Sequence, residues 1–216
     1  MGEMVRRAYG AESFGALAQE LIFRPLGMTD TSFGLPAALA DRAVPLKAYL
    51  PEGGFLQPSD IEVLNDVITA DAEMPWVGSV STADDVHAFA EWLRRRGEHN
   101  GEHLVAPAIL DQATTLQTGE MPNDLYAEMA KARGWESPKG NFGLGFSLSG
   151  TGTAPSFFGP FTSPRTHGNY GAGSSLFWVD PERDFTFTFL SAGVMEESEN
   201  VARFQKLSTM AIAAAL

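Results

Sequence analysis

Apolar residues return at helical spacing over the first twenty-odd positions, where Phe14, Leu17, Ala18, Leu21 and Ile22 make one stripe. Gly10 divides this region into two helical pieces, and Pro25 with Gly27 ends it. From 29 to 75 the periodicity is weak and Pro and Gly are scattered, so this stretch reads as mostly irregular. A strong helix follows. Thr82 and Asp85 form a capping pair, and Val86, Phe89, Ala90 and Leu93 share one face. Arg94, Arg95 and Arg96 sit where the helix dipole favours cations, and Gly97 suits the residue after the last turn. A second helix is predicted from Pro107 to about Leu116.

Beyond residue 141 the period changes from helical to alternating. Phe142, Leu144, Phe146 and Leu148 read as a strand, and a loop rich in Gly, Pro, Ser, Thr and Phe covers 150 to 166. Ser174 to Val179 is a second strand, Asp180 to Asp184 is turn chemistry, and Phe185, Phe187 and Phe189 alternate with Thr186 and Thr188 in a third. Ser198 is placed to cap a last helix with Val201, Phe204, Ser208, Ala211, Ile212 and Ala215 on its inner face. Hairpin-length connections join only antiparallel strands, so the fold class is α+β: a mostly helical lobe over 1–140, then an antiparallel sheet and C-terminal helix over 141–216.

Composition narrows the functions. Fifteen Lys and Arg against 27 Asp and Glu leave a net charge of −12, which repels phosphate backbones and argues against nucleic acid as partner. With no Cys there is no thiolate metal site, disulfide or Cys nucleophile, and this fits cytoplasm and periplasm equally. No apolar run reaches the roughly 18 residues of a membrane span. His99 and His103 are four apart, but Asn100-Gly101 between them is a turn, so neither a metal nor another cofactor is expected.

Four stretches carry a resemblance. Leu21-Ile22-Phe23-Arg24-Pro25-Leu26-Gly27-Met28-Thr29-Asp30-Thr31-Ser32-Phe33 is followed by Gly78-Ser79-Val80-Ser81-Thr82-Ala83-Asp84-Asp85. Then come Asn100-Gly101-Glu102-His103-Leu104-Val105-Ala106-Pro107 and the segment from Gly168 to Pro181 ending Trp178-Val179-Asp180-Pro181. In kind and order they resemble the serine β-lactamase superfamily, the penicillin-recognising serine hydrolases that include D-alanyl-D-alanine peptidases and esterases. The resemblance implies an acyl-serine mechanism on a small-molecule ester, amide or β-lactam. In that mechanism an S-x-x-K pair activates the nucleophile, Y-x-N or S-x-N carries a proton, and K-T-G, H-x-G or W-x-G lines the cleft.

Within the 216 residues no Ser has Lys three positions later, and none of Tyr9, Tyr49, Tyr126 and Tyr170 has Asn two positions later. The resemblance therefore implies a chain that starts just past the second motif, without the first two strands of the sheet, and no catalytic residue is assigned. Counting back from Trp178 puts Asn169-Tyr170-Gly171 on the third motif. Asn169 stands where the family has Lys, His or Trp, which leans towards an esterase-like member. Gly171 allows close approach of substrate, and the N–H of Ala172 is implied as an oxyanion donor. These residues and His167 are the substrate-binding candidates.

Bland readings stand beside these. His167 reads either as a cleft histidine or as a loop histidine at a strand start. Tyr170 is a cleft wall or a packed strand residue, and the Phe157-Phe158-Gly159-Pro160-Phe161 loop covers an acyl pocket or packs as an ordinary cluster. Two functions remain. One is the C-terminal part of a serine hydrolase, inactive by itself. The other is a non-catalytic binding or oligomerisation module, a homo-oligomer through an exposed sheet edge.

Overall fold

The computed structural model describes residues 1–52, 56–132, 134–137, 139–151, 156–171 and 174–215. They form two compact units, Met1–Phe89 with Leu190–Met195 and Ala90–Phe189 with Glu196–Leu216.

The first unit opens with α1 (Gly2–Tyr9), which Gly10 closes in a left-handed conformation at φ 67°. Helix α2 (Phe14–Ala18) starts where Ser13 Oγ accepts the N–H of Ala16 at 2.9 Å. It runs on through one wider turn, Gln19–Phe23, closed by the N–H of Arg24 on the Gln19 carbonyl. That turn rotates Phe23 inward to join Leu17, Ala18, Leu26 and Met28 in the core.

The stretch from 29 to 75, expected to be mostly irregular, holds β1 (Ser32–Phe33), β2 (Lys47–Tyr49), α3 (Pro58–Glu62) and α4 (Leu64–Val67). Helix α3 has a capping box that period counting overlooks. The Asp60 carboxylate accepts the N–H of Gln57 at 2.8 Å, with Pro58 at the first helical position.

Strand β3 (Ser79–Val80) pairs antiparallel with β1, and α5 (Ala83–Arg94) follows. Thr82 caps α5 as predicted, its Oγ1 accepting the N–H of Asp85. The Asp85 side chain does not reach back to complete a box. It accepts the N–H of Asp30 at 2.8 Å and the hydroxyl of Thr31 at 2.7 Å, while Thr31 Oγ1 meets Ser81 Oγ at 2.7 Å. The first two resemblance segments are thus tied together around one buried carboxylate. Asp85→Ala is expected to cost about 2–3 kcal/mol, because buried donors lose a charged acceptor. Urea unfolding checks this, and Thr31→Val in the same background should add little.

In the second unit, β4 (Glu98–His99) and β5 (Glu102–His103) form the hairpin that Asn100-Gly101 predicts, with both turn residues at positive φ (53° and 84°). Helix α6 (Pro107–Ala113) is shorter than predicted, and α7 (Asp124–Ala132) occupies a stretch for which no element was expected.

The strand expected over 142–148 is cut to β6 (Ser147–Leu148). Gly145 at φ 82° turns the chain, so that Phe142 bridges Ser147 and the N–H of Gly143 donates to the Phe146 carbonyl. Strands β7 (His167–Gly171), β8 (Ser175–Asp180) and β9 (Phe185–Phe189) complete an antiparallel sheet in the order β6-β7-β8-β9. The chain returns to the first unit for β10 (Gly193–Met195), parallel to β2.

Helix α8 (Glu197–Ala215) packs on the sheet. Phe204 and Ile212 meet Phe158, Leu176 and Trp178 in the core, where Trp178 Nε1 donates to Ser208 Oγ at 3.0 Å. The predicted cap Ser198 lies inside the first turn instead. Glu196 does the capping, its carboxylate accepting the N–H groups of Ser198 (3.0 Å) and Glu199 (3.3 Å). Among the described residues no helix is long and apolar enough to cross a membrane.

Candidate active site

Strand β7 carries four of the five sequence-nominated residues, His167, Asn169, Tyr170 and Gly171; Ala172 lies outside the described residues. Its neighbour β6 pairs only with His167 and Gly168, whereas β8 pairs with β7 along its whole length. The N–H of Ser149 donates to the Thr166 carbonyl, one step along the same register. Antiparallel hydrogen bonding alternates from there. The backbone groups of Gly168 and Tyr170 therefore face the β6 side, and those of His167, Asn169 and Gly171 face β8. Because β6 ends opposite Gly168, the N–H and C=O of Tyr170 lie on an edge with no strand beside it among the described residues.

The side chains divide by the same alternation. His167, on the face away from α8, is buried. Its Nδ1 contacts the Arg165 carbonyl at 3.1 Å and its ring meets Phe146 edge-on at 5.9 Å. Burial pushes the imidazole below its ordinary pKa against the opposing pull of that carbonyl, which keeps it neutral at pH 7. With Leu148 and Val179 it lines an open groove of about 1010 Å³. The cations there are largely matched: Arg94 by Glu91 and Asp184, Arg96 by Asp111 and Lys139 by Glu120.

Asn169 is exposed. Its Oδ1 accepts the N–H of Tyr170 at 3.0 Å, so the edge donor is held by a neighbouring amide.

Tyr170 points the other way. Its ring lies 4.4 Å from Phe157 and 5.9 Å from Phe204, and its hydroxyl donates to Glu197 Oε1 at 2.8 Å. The hydroxyl of Tyr126 donates to the same oxygen at 2.9 Å. Burial raises the Glu197 carboxyl, with the hydrogen bond from Tyr126 opposing and the Glu196 charge adding. Burial and then the Glu197 charge push the Tyr126 phenol up. The side chain of Tyr170 is a packed strand residue, and only its backbone reaches the edge.

Phe158 of the 157–161 loop is part of the core under α8, and the Phe157 ring lies tilted against both Tyr126 and Tyr170. A cavity beside them, lined by Tyr126, Trp135, Phe157 and Val201, holds about 50 Å³, room for a few waters.

Sequence reasoning missed Glu197 and Tyr126, which lie 71 residues apart and leave no local signal. It also passed over Ser198-Glu199-Asn200, which matches S-x-N by letter. That tripeptide is the first turn of α8, where the Ser198 hydroxyl donates to Glu196. Asp180 accepts from Ser163 Oγ at 2.6 Å, and His167 Nδ1 is on Arg165.

A family model described as Beta-lactamase matches residues 1–209, and the chain belongs to that family. Its fold is that of the beta-lactamase-related serine hydrolases. A beta-lactamase from Mycobacterium bovis is 23% identical, with a TM-score of 0.65 over 99% of this chain and 60% of that one. A penicillin-binding protein homolog from Caulobacter crescentus is 22% identical, with a TM-score of 0.65 over 97% and 55%. EstCE1, a hydrolase with promiscuous acyltransferase activity, is 17% identical, with a TM-score of 0.69 over 96% and 53%. The chain thus spans little more than half the length of these structures. No curated protein sequence matches it.

Proposed function

We propose that the chain supplies the substrate-binding edge strand of a serine hydrolase of the esterase, β-lactamase or peptidase type, and that it forms no acyl-enzyme on its own. The observation that carries this reading is the edge of β7, bound to β6 up to Gly168 and with no strand beside Tyr170 among the described residues. An ester, amide or β-lactam carbonyl laid along that edge would compete with Asn169 Oδ1 for the Tyr170 N–H, with Gly171 offering no side chain to obstruct it and the Ala172 N–H as oxyanion donor. Asn169 contributes a neutral amide in place of a cation, which suits an uncharged ester better than a carboxylate-bearing lactam. His167 stays neutral behind the strand and shapes the groove. Acyl transfer needs a hydroxyl with a base beside it, and no Ser of the 216 residues has the Lys that the family's mechanism uses.

Mass spectrometry after incubation with p-nitrophenyl acetate tests the inactive half, with no stoichiometric acyl adduct expected; an adduct on any Ser overturns it. Amide resonances in the presence of excess phenyl acetate test the binding half. Shifts concentrated at Asn169 to Ala172 are expected, and shifts confined to the 50 Å³ cavity around Tyr126 would overturn it.

A further inference from the structure

The first turn of α8 carries a carboxylate that acyl transfer does not use. Glu197 opens the helix, and its Oε1 accepts the phenol of Tyr170 from β7 at 2.8 Å and that of Tyr126 from α7 at 2.9 Å. Helix α7, strand β7 and helix α8, all in the second unit, thus meet at one oxygen. The two tyrosine rings lie 6.4 Å apart, and Phe157 lies against both. Tyr126 is buried, and Phe204 closes in the Tyr170 ring at 5.9 Å.

Packing alone does not require this group. Phenylalanine at both ring positions and leucine at 197 would fill the same space without taking a charge out of water. What the carboxylate adds is direction. A phenol ends a rigid ring on two torsions, so fixing its hydroxyl fixes the Cα that bears it. At Tyr170 this counts for more than elsewhere on the strand. Up to Gly168, β7 is held on both sides, by β6 and by β8. At Tyr170 the remaining neighbour among the described residues is β8, through the pair with Leu176. The backbone groups of Tyr170 face away from that partner, so the pair lacks ladder hydrogen bonds. The hydroxyl of Tyr170 therefore ties down the residue of the edge that the sheet holds least.

We propose that Glu197 is a positioning residue for the β7 edge: by holding the Tyr170 hydroxyl it sets where the Tyr170 N–H and Gly171 stand for a bound carbonyl. The role rests on the reading of β7 as a substrate edge. Glu197 itself touches no substrate, because it lies under the α8 face, where the Tyr170 side chain packs on the core.

The charge of Glu197 gives the tether a signature. Burial raises the carboxyl, the phenol of Tyr126 opposes, and the neighbouring Glu196 charge adds to the rise. Protonation turns charge-assisted hydrogen bonds into neutral ones, roughly half as strong. The amides of Asn169 to Gly171 should follow an acid titration with a midpoint above that of an ordinary glutamate, and Glu197→Gln should erase it. This measurement on wild type needs no variant to fold, and a flat profile at those amides overturns the proposal.

Three variants separate position from packing. Tyr170→Phe and Glu197→Gln each loosen the tether. Tyr126→Phe removes a hydrogen bond of the same kind from the same oxygen and leaves the edge alone. Each is followed in the whole chain by urea unfolding, amide hydrogen exchange and titration with phenyl acetate. All three are expected to lower the urea midpoint by similar amounts. Tyr170→Phe and Glu197→Gln should also speed exchange at Tyr170 and weaken phenyl acetate about tenfold, the weight of one charge-assisted hydrogen bond. Combining them should add little, and Tyr126→Phe should keep the affinity within about twofold of wild type. Unchanged affinity in Tyr170→Phe and Glu197→Gln overturns the positioning role alone. An equal loss in all three does the same, since the cluster would then serve stability only. Wild type that shows no shifts at Asn169 to Ala172 overturns the substrate edge itself, and this role with it.

Discussion

Gly168→Ala is expected to remove the native sheet altogether. A Cβ at this position would stand 2.6 Å from Trp178 Cα and 2.9 Å from Trp178 Cβ, and closer still to the Phe177 carbonyl oxygen. Two of these three atoms are β8 backbone, so no side chain can rotate out of the way. The strands would have to part at the Gly168↔Trp178 pair, the second of the five in the ladder. Trp178 is fully buried and joins α8 through Ser208, so the disturbance enters the core directly. Overpacking a core costs about 1–3 kcal/mol when side chains can adjust, and a backbone clash belongs to the rarer class above about 4 kcal/mol. That is a large part of the stability of a domain this size. Urea unfolding followed by tryptophan fluorescence and near-ultraviolet dichroism checks it. A variant with a native spectrum and a midpoint close to wild type would mean that β7 and β8 do not approach as described. The same clash bears on function, because β7 holds Asn169 to Gly171 in place only while its ladder with β8 is intact.

Much of this sheet was readable from residue order. Phe185, Phe187 and Phe189 alternate with threonine because one face of β9 packs on Trp178 and Phe204 and the other does not. Thr82 and Asn100-Gly101 act through neighbours one to three residues away, so their roles are local and legible. The misreadings have a common cause. Glu196 replaces Ser198 as cap because a longer side chain one residue before the helix reaches two N–H groups at once. The strand drawn over 142–148 shrinks because Gly143 and Gly145 bend what alternation alone takes as straight.

The candidate site was legible as a position on β7 and not as an arrangement. Period two puts Tyr170 on the opposite face from Asn169, and its cross-strand partner Leu176 is a core residue, so its inward packing could have been read from the hairpin register. Its tie to Glu197 could not, because that contact spans 27 residues and depends on where α8 lands.

Asp180→Ala should be nearly as damaging, and its effect should depend on pH. Asp180 has no exposed surface, and its carboxylate gathers the turn that joins β8 to β9. It accepts the N–H of Ser163 at 2.8 Å, the Ser163 hydroxyl at 2.6 Å and the N–H groups of Glu182 and Arg183 at 3.1 and 3.2 Å, with the Arg183 guanidinium at 3.1 Å. Alanine would leave these donors facing a void, the two from Ser163 in a residue that is itself buried. Removing one partner from a buried charged network costs about 3–5 kcal/mol.

The pH dependence has a definite sign. Burial by itself would raise the carboxyl pKa, but the Ser163 hydroxyl and N–H, then the Arg183 N–H and the Thr166 hydroxyl, outweigh it and hold the group below its ordinary value. A depressed folded-state pKa stabilises the protein above the unfolded value near about 3.9, and that contribution is lost as the pH falls through the folded-state value. Asp180→Asn keeps the shape and removes the titration. Its stability should therefore fall less steeply than wild type below about pH 4, although it starts lower at pH 7. Urea midpoints measured from neutral pH into the acid limb decide the matter. Parallel curves for wild type and Asp180→Asn would show that this carboxylate does not anchor the turn as a charge.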